Sequence, residues 1–356
     1  MELNDLGWNE SLAEHFRPFE DQGRSPARVI REHTHIYAVA GAHGEVLAEV
    51  SGKFTYDTRR RSDFPAVGDW VAIQLSPQQD KATIHAVLPR KSAFVRKQAG
   101  GKTEEQVVAA NIDTAFVVGG LDGDFNPNRI ERYVTAVWES GANPVIVLNK
   151  ADLCADIVAR VAAVEAIAFA VPVLPVSATR NQGMDLVYRH INTGKTAVFL
   201  GSSGVGKSTI INGLLGDSRQ QVQTVREDDS RGRHTTTHRE LISLPGGGLV
   251  IDTPGMRELG LWADEDALKR TFEDVEALAA QCRFSDCEHG SEPGCAVKAA
   301  LEDGSLDPGH WRNYLKLKRE LRYLAGRRDH KARLAEKQKW RKIAMDQRRM
   351  KEERGW

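Results

Sequence analysis

The chain has 356 residues, 41% hydrophobic and 28% charged, which suits a water-soluble globular protein of two or three domains. That profile excludes a largely disordered or fibrous chain, and no stretch reaches the roughly 18 uninterrupted apolar residues of a membrane span. Lys plus Arg balance Asp plus Glu at 49 each, but unevenly: residues 311–356 hold 17 basic against 6 acidic side chains. A basic end on an acidic body points to an anionic partner such as nucleic acid.

Residues 1–27 read as an N-terminal extension, polar and without periodicity. It carries Glu2, Asp5 and Glu10 and no basic-then-apolar pattern, so no secretory signal is expected. Residues 28–104 change to short β-like runs at 36–39, 46–50, 69–73 and 82–87, separated by Gly and Asp turns. Such spacing predicts a small all-β barrel. Basic and aromatic residues interleave there (Lys53, Phe54, Tyr56, Arg60, then Arg90, Lys91, Phe94), as in an oligonucleotide-binding barrel, or OB-fold. A charged rim on an ordinary barrel fits the same residues. Residues 98–103 read as a linker or mobile loop.

From 105 to 275 strands and helices alternate. Buried strands are predicted at 115–118, 144–148, 171–176 and 196–200, and helices at 128–140, 155–169 and 207–215. Ile130, Tyr133, Val134, Val137 and Trp138 line one face of the first helix, and Gly141 follows its end. Alternation of this kind predicts a parallel α/β sheet. Residues 276–356 are read as a mostly helical C-terminal domain.

Residues 201–209 read GSSGVGKST and fit the phosphate loop G-x-x-x-x-G-K-[ST], after an apolar strand and before a helix. Gly201, Gly204 and Gly206 allow backbone N–H groups to turn inward, and the loop also includes Ser202, Ser203, Val205 and Thr209. Lys207 would meet the β- and γ-phosphates, the Ser208 hydroxyl would ligate Mg²⁺, and the helix N-terminus would add free donors.

Asn149-Lys150-Ala151-Asp152 closes the strand 144–148, at the carboxyl end where α/β sheets bind ligands. The Asp152 carboxylate can accept from guanine N1–H and the 2-amino group, which adenine lacks. Asn149 can brace the site, and the Lys150 stem can cover the base. Ser177 and Ala178 follow the next strand, and the Ala178 N–H could reach guanine O6.

Asp252-Thr253-Pro254-Gly255 follows the strand 249–251 and fits a D-x-x-G sensor. Asp252 would hold Mg²⁺ through water, and Gly255 would bond the γ-phosphate. Between the two phosphate motifs lies Gly232-Arg233-His234-Thr235-Thr236-Thr237, whose Thr235, Thr236 or Thr237 hydroxyl can complete the Mg²⁺ shell. Such a loop orders on GTP and relaxes after hydrolysis. Met256 follows Gly255, where small GTPases carry a water-orienting Gln. His234 is the candidate catalytic group in its place.

The motif order is inverted: the base-reading motif precedes the phosphate loop, which amounts to a circular permutation. With VGDWV, NIDTAFVV, FNPNRIERY, NKADL, GSSGVGKST, RGRHTTT and DTPGMRE, the chain resembles the ribosome small-subunit-dependent GTPase A family. The resemblance implies an OB-fold barrel, a permuted GTPase domain and a C-terminal zinc domain. It implies slow GTP hydrolysis stimulated by the small ribosomal subunit, binding to its 16S rRNA, and a role in late small-subunit maturation. The family's catalytic His falls on His234 and its Mg²⁺-binding Ser on Ser208.

Cys282, Cys287, His289 and Cys295 form C-x₄-C-x-H-x₅-C. Three thiolates and an imidazole make a closed tetrahedral set for one structural Zn²⁺. The basic end reads as a helix with Trp311, Leu315, Leu317, Leu321 and Leu324 as its apolar positions. It could lie along RNA. The expectation is a cytoplasmic, monomeric GTPase, turning GTP into GDP, with no membrane partner. An RNA-binding module with a regulatory nucleotide site and little turnover is the alternative. An ATPase is disfavoured by Asp152.

Overall fold

Five strands build the N-terminal barrel: β1 (Ser25–Glu32), β2 (Tyr37–Gly41), β3 (Gly44–Val50), β4 (Trp70–Leu75) and β5 (Lys81–Val87). Strand β1 pairs antiparallel with both β2 and β4, β3 runs parallel to β5, and β4 pairs with β5. The ring β1-β2-β3-β5-β4 is therefore closed, in the Greek-key manner of an OB-fold. Alternate residues point inward, among them Val29, Val39, Val71 and Ile84. Helix α1 (Glu10–Glu20) precedes the barrel, and α2 (Gly52–Asp57) follows β3.

This is a computed structural model. It describes residues 2–33, 36–58, 60–78, 80–97, 105–168, 170–216, 239–252, 265–290, 292–319 and 321. It comprises two compact units, Met1–Leu261 and Trp262–Trp356. Among the described residues no helix is long and apolar enough to cross a membrane.

The N-terminal extension is not featureless. Asn9 caps α1 by accepting from the Leu12 N–H. Leu12, Phe16 and Phe19 fall at i, i+4 and i+7, and Phe16 is buried. Trp8 sets its edge against Trp70 at 4.8 Å. Strand β1 also escapes the sequence pattern, because its centre is a charged residue. Arg28 is buried, and its guanidinium donates to the carbonyls of Gly68 (3.1 Å), Leu6 (2.5 Å) and Asn111 (3.3 Å). Burial lowers its pKa to about 10, with Asp113 and Asp69 nearby opposing the fall. Arg28→Met should strand the buried carbonyls of Leu6 and Asn111, that of Gly68 keeping Asn111 Nδ2 as a donor at 3.1 Å, and lower stability by about 3 kcal/mol. The urea midpoint would fall at unchanged slope. A loss under about 1 kcal/mol would mean that water replaces the guanidinium.

The second part of this unit is an α/β sheet. Its strands are β8 (Thr114–Gly120), β9 (Asn143–Asn149), β10 (Val173–Pro175), β11 (Thr196–Leu200), β12 (Glu240–Ser243) and β13 (Leu249–Asp252). The order is β10-β9-β8-β11-β13-β12, parallel except for β12. A hairpin of β6 (Ala93–Lys97) and β7 (Glu105–Ala110) lies between barrel and sheet in the sequence. Strand β12 meets β1 at Arg31 opposite Glu240, so the barrel and sheet share one ladder. Ion pairs flank that meeting: Arg239 with Glu32 at 3.6 Å, and Arg61 with Glu32 at 3.0 Å.

Helix α3 (Pro127–Ser140) begins where expected, with Asn126 as its cap and Pro127 in its first turn. It ends at Gly141, whose φ of 83° is the left-handed conformation that glycine adopts freely. Helix α4 (Ile157–Glu165) is shorter than predicted, because Asp156 caps it by accepting from Ala159. Strand β10 is also short, with Pro172 just before it and Pro175 at its end. Helices α5 (Met184–Tyr188) and α6 (Lys207–Leu215) complete the layer, α6 with the predicted bounds.

In the second unit, helices Glu265–Thr271, Glu273–Ala279 and Ala296–Glu302 are followed by a helix over 308–319. Phe272, Val275, Val297, Leu306, Tyr314 and Leu317 form its interior. The last helix turns Tyr314 inward, where the predicted face has Leu315. The Tyr314 hydroxyl donates to Glu276 at 2.8 Å, which satisfies its buried polar end. Leu315 is half-buried, and Leu324 lies outside the described residues.

Candidate nucleotide site and candidate metal centre

Three strand ends converge on one site. Strand β11 runs into the phosphate loop, and α6 begins directly after Gly206. Gly201, Gly204 and Gly206 all hold positive φ. At two of them a side chain is also excluded by space: a Cβ at Gly201 would strike the Val118 carbonyl, and one at Gly206 the Asn149 amide. Val205 is buried, Ser202 is half-buried, and Ser203, Gly204, Ser208 and Thr209 face solvent. Lys207 Nζ donates to the carbonyls of Gly201 (2.8 Å) and Ser202 (2.6 Å). Its charge is thereby held over the loop, where an anion would be attracted.

Strand β9 delivers the second piece. Asn149 is buried and bridges two segments: its Nδ2 donates to the Val205 carbonyl at 2.9 Å, and its Oδ1 accepts from the Ala178 N–H at 3.1 Å. The brace expected of Asn149 is thus a direct tie between the phosphate loop and the segment after β10. Asp152 Oδ1 accepts from Ser177 Oγ at 2.6 Å, and Arg180 lies 3.6 Å from Oδ2. The Ser177 bond, foremost, holds the Asp152 carboxyl below the usual carboxylate range, so it is ionised and accepting at neutral pH.

Lys150 has a left-handed backbone (φ 65°), and its Nζ lies 2.5 Å from Asp122 Oδ2. Ser202 Oγ donates to Asp124 Oδ2 at 2.7 Å. Neither aspartate belongs to a nucleotide motif. The signal that could have located them is the pairing of β8 with β9, which a single sequence does not reveal. Asp252 closes β13, opposite Glu240 in register. His234, Thr235, Thr236 and Gly255 lie outside the described residues.

In the second unit Cys282, Cys287, His289 and Cys295 bring their ligand atoms within 4.8 Å of one another. Cys282 and Cys295 sulfurs are 3.9 Å apart, and each is 3.5 Å from His289 Nδ1. A tetrahedron with metal–sulfur bonds of about 2.3 Å has sulfur–sulfur edges of about 3.8 Å, so the spacing fits a closed four-ligand metal site. Burial, the largest influence, lowers the His289 pKa and favours the neutral imidazole that a metal needs. Trp311 sets its edge on the His289 ring at 5.6 Å.

A parallel sheet with a phosphate-loop turn after one strand and an N-K-x-D segment after another, the second preceding the first in sequence, defines a circularly permuted P-loop GTPase. The RsgA GTPase family model matches residues 87–262. A small ribosomal subunit biogenesis GTPase RsgA of Opitutus terrae is 49% identical, over 98% of this chain and 97% of its own length. Its namesake in Syntrophotalea carbinolica is 46% identical, over 100% and 99%. The chain belongs to the RsgA GTPase family. Among solved structures, YjeQ from Thermotoga maritima is similar at 28% identity and a TM-score of 0.64, covering 84% of this chain and 98% of its own. YloQ, described as a circularly permuted GTPase, is similar at 25% identity and a TM-score of 0.61, over 84% and 95%.

Proposed function

We infer that this chain hydrolyses GTP to GDP and acts in biogenesis of the small ribosomal subunit. The observation that carries the nucleotide assignment is the Asn149 bridge, which joins the phosphate loop and the Ala178 N–H beside the Asp152 carboxylate. Asp152 accepts from guanine N1–H and the 2-amino group, and the Ala178 N–H donates to O6. Lys207 and the backbone of residues 201–209 hold the phosphates. Mg²⁺, when bound with nucleotide, neutralises phosphate charge. Ser208 and one of Thr235, Thr236 and Thr237 would hold it, with Asp252 behind a water. His234 orients the attacking water. The Cys₃His set takes one structural Zn²⁺.

The partner is the small subunit and its 16S rRNA, met by the basic and aromatic residues of the barrel and by the basic C-terminal segment. Subunit binding stimulates turnover, and hydrolysis favours release. The domain order that goes with this reading is N-terminal extension, barrel, GTPase domain and metal-binding C-terminal domain, in a monomeric, cytoplasmic protein. High relatedness to proteins named small ribosomal subunit biogenesis GTPase RsgA supports it.

The test is GTP and ATP turnover with and without small subunits. GTP-only turnover that rises with small subunits is expected, and His234→Ala should lower it about a hundredfold without loss of GDP binding. Turnover indifferent to subunits would remove the partner assignment, and equal ATP turnover would remove the role given to Asp152.

A further inference from the structure

The loop between β8 and α3, residues 121–126, carries two carboxylates that the nucleotide motifs leave unused. Strand pairing fixes its place. Gly120 lies opposite Asn149, and the Leu121 N–H donates to the Asn149 carbonyl at 2.8 Å. Asp122 therefore emerges beside Lys150. Its oxygens are divided: Oδ1 accepts from the Asp124 N–H at 3.1 Å, and Oδ2 meets Lys150 Nζ. Two residues on, Asp124 Oδ2 accepts from Ser202, and its Oδ1 lies 2.9 Å from Arg129. One short loop grips the base-reading segment with one carboxylate and the phosphate loop with the other.

Stability is a weak reason for this arrangement. Lys150 and Asp122 keep 28% and 29% of their side-chain exposure, and ion pairs that open to water contribute about 0.2 to 1 kcal/mol. What the contacts fix is direction. A free lysine has about 2 kcal/mol of rotamer entropy to lose when its stem is ordered against a ligand. Anchoring Nζ removes part of that cost before the ligand arrives.

We propose that Asp122 is a positioning residue for the guanine base, acting through Lys150, and that Asp124 is a positioning residue for the phosphate loop, acting through Ser202. This rests on the GTP-site reading above. Asn126 caps α3 at the end of the same loop, so the distance between base and phosphate subsites is tied to a helix start.

The test is equilibrium binding of a fluorescent GDP to the full chain. Asp122→Asn keeps an oxygen for the Asp124 N–H and removes the charge. It should weaken GDP binding about fivefold to tenfold, yet change it less than about twofold when Lys150→Met is already present. Asp124→Asn should likewise weaken binding in the parent chain and have little effect beside Ser202→Ala. The same loss in both backgrounds would overturn the proposal. Without nucleotide, melting temperatures should stay within about 4 °C of the parent. A larger drop would make the carboxylates structural and also overturn it. A parent chain that binds ADP as well as GDP would instead fail the function proposed above. Guanine-selective binding with additive variants would fail this inference alone.

Discussion

Asp152→Asn is expected to exchange GTP for XTP as the preferred nucleotide. The carboxylate offers acceptors only, which match the N1–H and 2-amino donors of guanine. An Asn side chain offers one acceptor and one donor. Its amide then faces the 2-amino group of guanine, donor against donor, whereas the 2-oxo group of xanthine accepts from it. Ser177 reinforces the switch, because its hydroxyl, 2.6 Å from Asp152 Oδ1, fixes which way that side chain points. Sites built on such pairing reject the mismatched ligand strongly, so GTP affinity should fall at least about a thousandfold. Competition of GTP, XTP and ATP against a fluorescent nucleotide measures this. A variant that still prefers GTP would mean that another group reads the base.

Removal of the metal should unfold the second unit and spare the first. Three of its helices, Glu265–Thr271, Glu273–Ala279 and Ala296–Glu302, have seven residues each. Helices below about 12 residues are marginal without tertiary support. Part of that support comes from the Cys₃His set. Cys295 caps the helix Ala296–Glu302, its Sγ accepting from the Lys298 N–H, and Trp311 rests on His289. A structural Zn²⁺ contributes on the order of 10 kcal/mol to folding in small domains. The purified chain should hold one zinc ion by elemental analysis. Chelation, or Cys282→Ser with Cys295→Ser, should abolish amide protection across 265–319 while protection across 105–216 and GDP binding persist. Full protection after chelation would show that the helices stand without metal.

Chemistry that is local in sequence was legible, and chemistry that depends on strand pairing was not. The Gly-rich turn before α6, the NKAD segment at the end of β9 and the clustered Cys₃His set each lie within a few neighbouring residues, and each stands where its local sequence placed it. Helix α6 and strand β11 have the predicted bounds for the same reason. Arg28 hid β1, since a charged residue at the centre of an apolar strand reads as an interruption until its three carbonyl partners are placed. Those partners come from distant segments. Pro18 and a polar surface concealed α1, which gains its stability by burying Phe16. Asp122 and Asp124 became site residues only through the register of β8 with β9.

A sheet of eleven strands would ordinarily invite a neighbouring chain to add a twelfth. Here one end is spent on closing the barrel, since β4 bonds to both β5 and β1. The other end is β10, three residues long, preceded by Pro172 and ended by Pro175. Proline has no N–H to offer an incoming strand, and three residues give little length on which to zip. In the folded chain this sheet is a poor template for intermolecular β-pairing.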